Sequence, residues 1–372
     1  MKISENFDSG NIEIVNTDNL NNIQLNIRKD SNAQHFQWFH FRVQGLKDKE
    51  CRFKIMNAHA ASFAKGYENY QAVASYDRKH WFRVPTEYNG QALIISHRPD
   101  YNSIFYAYFT PYSYERHLDL VHSMQTNDLC EVVNVGETVD GRDIDLIHAG
   151  NGNGKKVWII ARQHPGESMA EWYIEGLLNR LFDKNDAVSK NILEKIQLFI
   201  VPNMNPDGAY LGNLRSNSAG TNLNREWLEP SMQKSPEVFL VRQKITEVGV
   251  DLFMDIHGDE SLPYNFAAVC EGVPSYTEKQ KQLEEEFIRR WVDSNPDFQN
   301  QHGYCKSKAG EADLSWATHY IGEAHQCCAM TIEMPFKDNA DHPDKVFGWS
   351  AERSMTLGAS SLTVINQMID KL

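Results

Sequence analysis

From Asn6 to about Thr110 the chain is built of short alternating runs, among them "NIEIV", "IQLNIR", "HFQWFHFRV" and "CRFKIM". Turn formers separate them, in "DSG", "RKDSN", "GLKDKE" and "YNG". A period of two puts successive apolar side chains on one face of a strand, and closely spaced short strands predict an antiparallel sandwich or barrel. Trp38, Phe39 and Phe41 are expected in its core or at its contact with the rest of the chain.

After "YFTPYSYERHLDLV" the texture changes. Strand-like runs at "VWIIA", "IQLFIVP", "VDLFMDI", "FAAVC" and "CCAMTIEM" alternate with helical stretches. In one of these, Ile174, Leu177, Leu178 and Leu181 share a face at offsets of three, four and seven. Such alternation predicts an α/β fold, a mixed, mostly parallel sheet flanked by helices. The expected division is an all-β sandwich at 1–112 and an α/β domain at 113–372. No repeat or long linker separates them, so the two parts are expected to pack together.

Composition narrows the class. The 372 residues are 41% hydrophobic and carry a formal charge of -13, which suits a globular chain and argues against nonspecific nucleic-acid binding. The start "MKISENFDSG" has no apolar stretch behind its lysine, and no apolar run approaches the length of a membrane span. Cys51, Cys130, Cys270, Cys305, Cys327 and Cys328 read as reduced thiols. The expectation is a cytoplasmic protein, with the adjacent Cys327 and Cys328 in the core rather than on a metal.

Open α/β sheets bind ligands beyond the carboxyl ends of their strands. After "VWIIA" come His164 and Glu167, in "RQHPGE". After "IQLFIVP" come Asn203, Asn205 and Asp207. After "VDLFMDI" come His257, Asp259 and Glu260, and "AMTI" leads into Glu333. Four strands thus deliver histidines, carboxylates and amides to one rim. A catalytic zinc takes three nitrogen or oxygen ligands and leaves a position for water. His164 and Glu167, three apart across a strand-to-helix bend at Pro165 and Gly166, can approach one ion, with His257 the natural third ligand. Because "HGDE" repeats the HxxE spacing, spacing alone leaves Glu167 and Glu260 both open.

The motifs "HPGES", "NPDGAYLGNLRSNSAGTNLNREW", "DIHGDE" and "TIEMPFKDN" resemble, in order, those of the zinc metallocarboxypeptidases. The early "FDSGNIEIV" and "QWFHFRV" are similar to the leading domain of the cytosolic carboxypeptidase branch. This resemblance implies a zinc carboxypeptidase-like domain behind a β domain, binding one zinc ion per chain through His164, Glu167 and His257. It implies Glu333 as general base and then general acid. It implies Arg215 as the group that polarises the scissile carbonyl, and Asn224 with Arg225 as the clamp on the free C-terminal carboxylate. Gly166 stands where digestive relatives carry an arginine. The tyrosine that caps substrate has no clear motif here, and Tyr304 and Tyr320 both remain candidates.

The implied substrates are C-terminal tails of peptides or proteins, with no nucleic-acid or membrane partner. In the cytosolic branch acidic tails are trimmed, and Lys306 and Lys308 of "KSKAG" are candidates for recognising an acidic terminal side chain. Two other readings compete. One is an N-acyl amino acid deacylase on the same scaffold. The other is a noncatalytic protein-binding module.

Overall fold

The computed structural model describes residues 1–150 and 154–372. The alternating stretch folds into two five-stranded sheets. The first runs in the order Lys2–Ser4, His40–Gln44, Ser103–Ala107, Val73–Ser75, Phe82–Arg83, antiparallel throughout. The second runs Glu13–Asn16, Ile23–Asn26, Cys51–Ile55, Leu93–His97, Thr86–Tyr88. Phe41 and Tyr106 of the first sheet meet Phe53 of the second at 5.7 and 5.0 Å between ring centroids, which places the core between the sheets. Trp38, Phe39 and Phe41 are buried as expected. One pairing departs from the antiparallel pattern: Ile23–Asn26 and Cys51–Ile55 are parallel. The chain between them passes through His40–Gln44 in the opposite sheet and re-enters from the same end.

The rest folds around a seven-stranded sheet in the order Cys130–Glu137, Asp143–Ala149, Ile196–Val201, Lys155–Ala161, Leu252–Asp259, Cys328–Pro335, Phe266–Val269. Its four central strands, from Ile196–Val201 to Cys328–Pro335, are parallel to one another, and antiparallel strands close both sides. Buried on both faces, these central strands read as nearly continuous apolar runs. Helices cover the sheet. Ile174, Leu177, Leu178 and Leu181 lie on the helix Met169–Leu181 and are all buried. That helix packs against Ala351–Met368 almost backbone to backbone. A Cβ added at Gly176 would lie 2.1 Å from the Met355 carbonyl oxygen, and one at Gly358 would lie 2.0 Å from that of Tyr173.

The two parts are bound along a polar and aromatic seam. Arg83 is buried and donates to the carbonyls of Phe336 and Trp349 at 2.9 Å and of Phe347 at 3.1 Å. Lys337 donates to the Glu68 carbonyl at 2.9 Å, and the rings of Tyr108 and Phe336 stack at 4.6 Å. A Cβ at Gly66 would lie 2.6 Å from the Glu260 carbonyl oxygen, so the leading sandwich comes directly against the rim of the larger sheet.

Candidate active site

The strand Lys155–Ala161 ends in a sharp departure. Arg162 adopts φ of 58°, an unusual value for a residue with a side chain. Its buried guanidinium stabilises the turn, donating to the carbonyls of Pro165 (2.9 Å) and Tyr112 (3.0 Å) and pairing with Glu171. The segment that follows presents His164 and Glu167 just before the helix Met169–Leu181 begins. From the adjacent strand, His257 lies in parallel register with Glu333.

His164 Nδ1 is 2.7 Å from Glu167 Oε1, and His257 Nδ1 is 2.7 Å from Glu167 Oε2. The three donor groups lie within 4.8 Å of one another and are buried. Glu260 is outside this cluster, so the two HxxE spacings are told apart by position. Each imidazole is oriented through its far nitrogen. His164 Nε2 is 3.0 Å from Asn222 Oδ1, and His257 Nε2 is 2.9 Å from Asp255 Oδ2. Gln163 in turn donates to Asp255 at 2.7 Å and accepts from the Trp227 indole at 2.8 Å. Partners of this kind fix ring orientation at metal sites.

Burial, then Arg215, lowers the pKa of His164 to about 3 and leaves its ring neutral, the form that ligates. At His257 burial acts downward as well, but Asp255 and Glu167 outweigh it and hold the proton well above the usual histidine range. The difference arises from Asp255 at the far nitrogen of His257 and from the Arg215 guanidinium beside His164. Glu167 is held well below its ordinary range by both histidines against the effect of burial. Two nitrogens and a carboxylate converging this way suit zinc.

Glu333 forms part of the same wall. One of its oxygens accepts from the Tyr304 hydroxyl at 3.0 Å, while Oε2 is buried without a protein partner. Burial, with Glu167 adding to it, pushes the Glu333 pKa well above the carboxylate range. Tyr304 also donates to Asp259 at 2.7 Å. Although its ring edge is exposed, its hydroxyl sits between two carboxylates at the site. Tyr320 lies elsewhere, its ring under Arg242 at 5.0 Å.

These groups open into a cleft of about 530 Å³, lined also by Arg215, Asn224, Arg225, Glu260, Trp316, Thr318 and Thr331. The side-chain oxygen of Asn224 accepts from Ala317 N at 2.8 Å, and the Arg225 guanidinium stacks over Trp316 at 4.1 Å. Burial and the neighbouring Arg215 lower the Arg225 pKa to about 10, which leaves it cationic at neutral pH. Phe63 of the leading sandwich also lines the cleft and lies 5.2 Å from the Arg215 guanidinium.

Other rim residues serve the scaffold. Asn203 donates to Glu171, Asn205 caps the helix Pro206–Leu211, and Asp207 pairs with Arg142 at 2.7 Å. Lys306 is paired with Glu271 at 2.6 Å, and Lys308 is exposed, 4.0 Å from Glu311; neither lines the cleft. Cys327 and Cys328 are buried core residues. Sequence reasoning did not single out Gln163, Asn222, Asp255, Trp227 or Phe63. Gln163 and Asp255 had a usable signal, since Gln163 directly precedes His164 and Asp255 opens the motif "DIHGDE" two residues before His257.

A mostly parallel sheet whose rim gathers two histidines, a glutamate between them and a further glutamate has the donor set of a zinc hydrolase. Residues 114–354 match the zinc carboxypeptidase family and residues 3–109 match the cytosolic carboxypeptidase N-terminal domain. The chain therefore belongs to the zinc carboxypeptidase family, with the leading domain of its cytosolic branch. It is similar to a metallo-carboxypeptidase from Pseudomonas aeruginosa, solved with (2-guanidinoethylmercapto)succinic acid, at 46% identity and a TM-score of 0.98 over 100% of both chains. A metallo-carboxypeptidase from Burkholderia cenocepacia is 46% identical with a TM-score of 0.97 over 99% of both. Mouse cytosolic carboxypeptidase 6 is 29% identical over 294 residues, 70% of this chain, which spans 53% of that relative's length. No described helix is long and apolar enough to cross a membrane.

Proposed function

We propose that this chain is a zinc-dependent carboxypeptidase that removes residues from the free C-terminus of peptides or protein tails. One ion per chain would be held by His164, Glu167 and His257. The observation that carries the reading is the convergence of these three donors within 4.8 Å, beside a buried Glu333 in register with His257. Zinc held there supplies Lewis-acid activation of water and of a carbonyl group. Glu333 takes the proton of the attacking water and delivers it to the departing amine, a role that its raised pKa suits. Arg215 places a fixed positive charge where the carbonyl oxygen becomes negative. Asn224 and Arg225 bind the terminal carboxylate, for which a guanidinium fork has matching geometry. Tyr304, tethered to Asp259 and Glu333, closes one side of the cleft. All six cysteines are free, which supports a cytoplasmic setting.

Preference for an acidic terminal residue is the finer part of the proposal. It rests on the resemblance to the cytosolic branch, since Arg215 and Arg225 serve the carbonyl and the terminal carboxylate and the cleft lining also carries Asp259 and Glu260. Lys306 and Lys308 are engaged or exposed outside the cleft. The test is turnover of short peptides ending in Glu, Leu or Lys, each with a free or an amidated C-terminus, with and without chelator. Free glutamate ends should be cleaved fastest, amidated ends poorly, and chelated protein should be inactive. Equal turnover of the three free ends would remove the acidic preference alone. Full activity on amidated peptides would remove the terminal clamp, and hydrolysis of N-acyl amino acids in preference to peptides would favour the deacylase reading.

A further inference from the structure

We infer that Asp30, in the leading β domain, is a positioning residue for Arg215, so that the leading domain completes the catalytic centre. The inference rests on the proposed role of Arg215 at the scissile carbonyl.

Asp30 is buried and accepts three consecutive backbone N–H groups of the other domain, from Leu214 at 2.6 Å, Arg215 at 2.8 Å and Ser216 at 2.9 Å. Residues 212–222 form neither helix nor strand, and within their own domain Gly166 N donates to the Leu214 carbonyl at 2.9 Å. The same loop is gripped on both sides. Ser31 N donates to Asn213 Oδ1 at 3.1 Å, and Asn32 donates to the Ser218 carbonyl at 2.9 Å. Asn11 donates to the Gly212 carbonyl at 2.8 Å, and Ser9 N donates to that of Tyr210 at 2.9 Å. Beyond it, a Cβ at Gly220 would lie 2.4 Å from the Asn32 carbonyl oxygen. Apart from Gly166, every one of these partners comes from residues 9–32 of the leading sandwich.

The turn that carries Asp30 is itself closed, with Asp30 N donating to the His35 carbonyl at 2.8 Å. From the same domain Phe63 places its ring 5.2 Å from the Arg215 guanidinium. Backbone and side chain of Arg215 are thus both fixed by the leading domain. A carboxylate gripping three amides is a charge-assisted clamp, and it loses geometry when one oxygen becomes an amide nitrogen. Preorganisation of such a cation is worth a great deal, since a misplacement of about 1 Å costs ~100-fold in rate.

The experiment is a double-mutant cycle on the full chain loaded with zinc, using Asp30→Asn, Arg215→Ala and the double variant, read as kcat/KM on a free-ended peptide. Asp30→Asn should lower kcat/KM by about 10–100-fold with zinc content unchanged, and the double variant should be no slower than Arg215→Ala. Losses that multiply in the double variant, or a folded Asp30→Asn within about twofold of the parent, would overturn the inference. If Asp30→Asn does not fold, Phe63→Leu decides. Its loss should likewise vanish in the Arg215→Ala background, and a loss that persists there would overturn the coupling. A parent chain that does not cleave C-terminal residues would remove the functional reading, and this inference with it. An active parent with an additive cycle would remove only this inference.

Discussion

Replacing Glu333 with Gln isolates the proton-transfer step. The change keeps shape and leaves an oxygen able to accept from Tyr304, which lies 3.0 Å from the carboxylate. It removes the group that can hold a proton, at a position where burial already raises that proton's affinity. Positioned acid–base catalysis contributes about 10²–10⁴-fold, so the barrier should rise by about 3–5 kcal/mol. Glu333 lies outside the three-donor cluster, so one zinc per chain should remain. Single-turnover hydrolysis of a glutamate-ended peptide, paired with metal analysis, measures both quantities. A variant that retains kcat within tenfold would refute Glu333 as the base. One that loses zinc in proportion to activity would show that the residue acts on the metal instead.

Asp255→Asn weakens the support behind His257, since Asp255 Oδ2 lies 2.9 Å from Nε2 and also binds Gln163. Zinc affinity should fall about 10–100-fold in chelator competition, and an unchanged dissociation constant would remove this orienting role. Glu237 is fully buried, and burial raises its pKa from 4.5 to about 8. The folded state therefore holds that proton more tightly than the unfolded chain does. The resulting stability is complete below about pH 4.5 and is lost as pH rises through about 8, on the order of 5 kcal/mol in all. Glu237→Gln should raise Tm more at pH 8 than at pH 5, and equal shifts at the two pH values would contradict the burial of a costly charge.

Much of the architecture was legible because periodicity reports local geometry directly. Alternating runs became sandwich strands, continuous apolar runs became central parallel strands, and Ile174 to Leu181 became the buried face of a helix. His164, Glu167, His257 and Glu333 were visible because each stands at or near the end of an apolar strand, where side chains reach the rim. Asn203, Asn205 and Asp207 carried the same signal and proved to be scaffold, since strand-end position does not say which way a side chain is satisfied.

The sequence by itself determined the two-part organisation, the strand order of chemistry along the chain and the residue types able to grip a divalent ion. Only the tertiary structure decided that Tyr304 rather than Tyr320 reaches the site and that Asp30 and Phe63 contact Arg215, whereas Glu167, which it brings between the histidines, was already implied by the family resemblance. Those outcomes depend on contacts between residues as many as 185 positions apart. Hydrophobic periodicity sets which face of an element is buried, whereas the docking of one domain on another sets which distant side chains share a cleft.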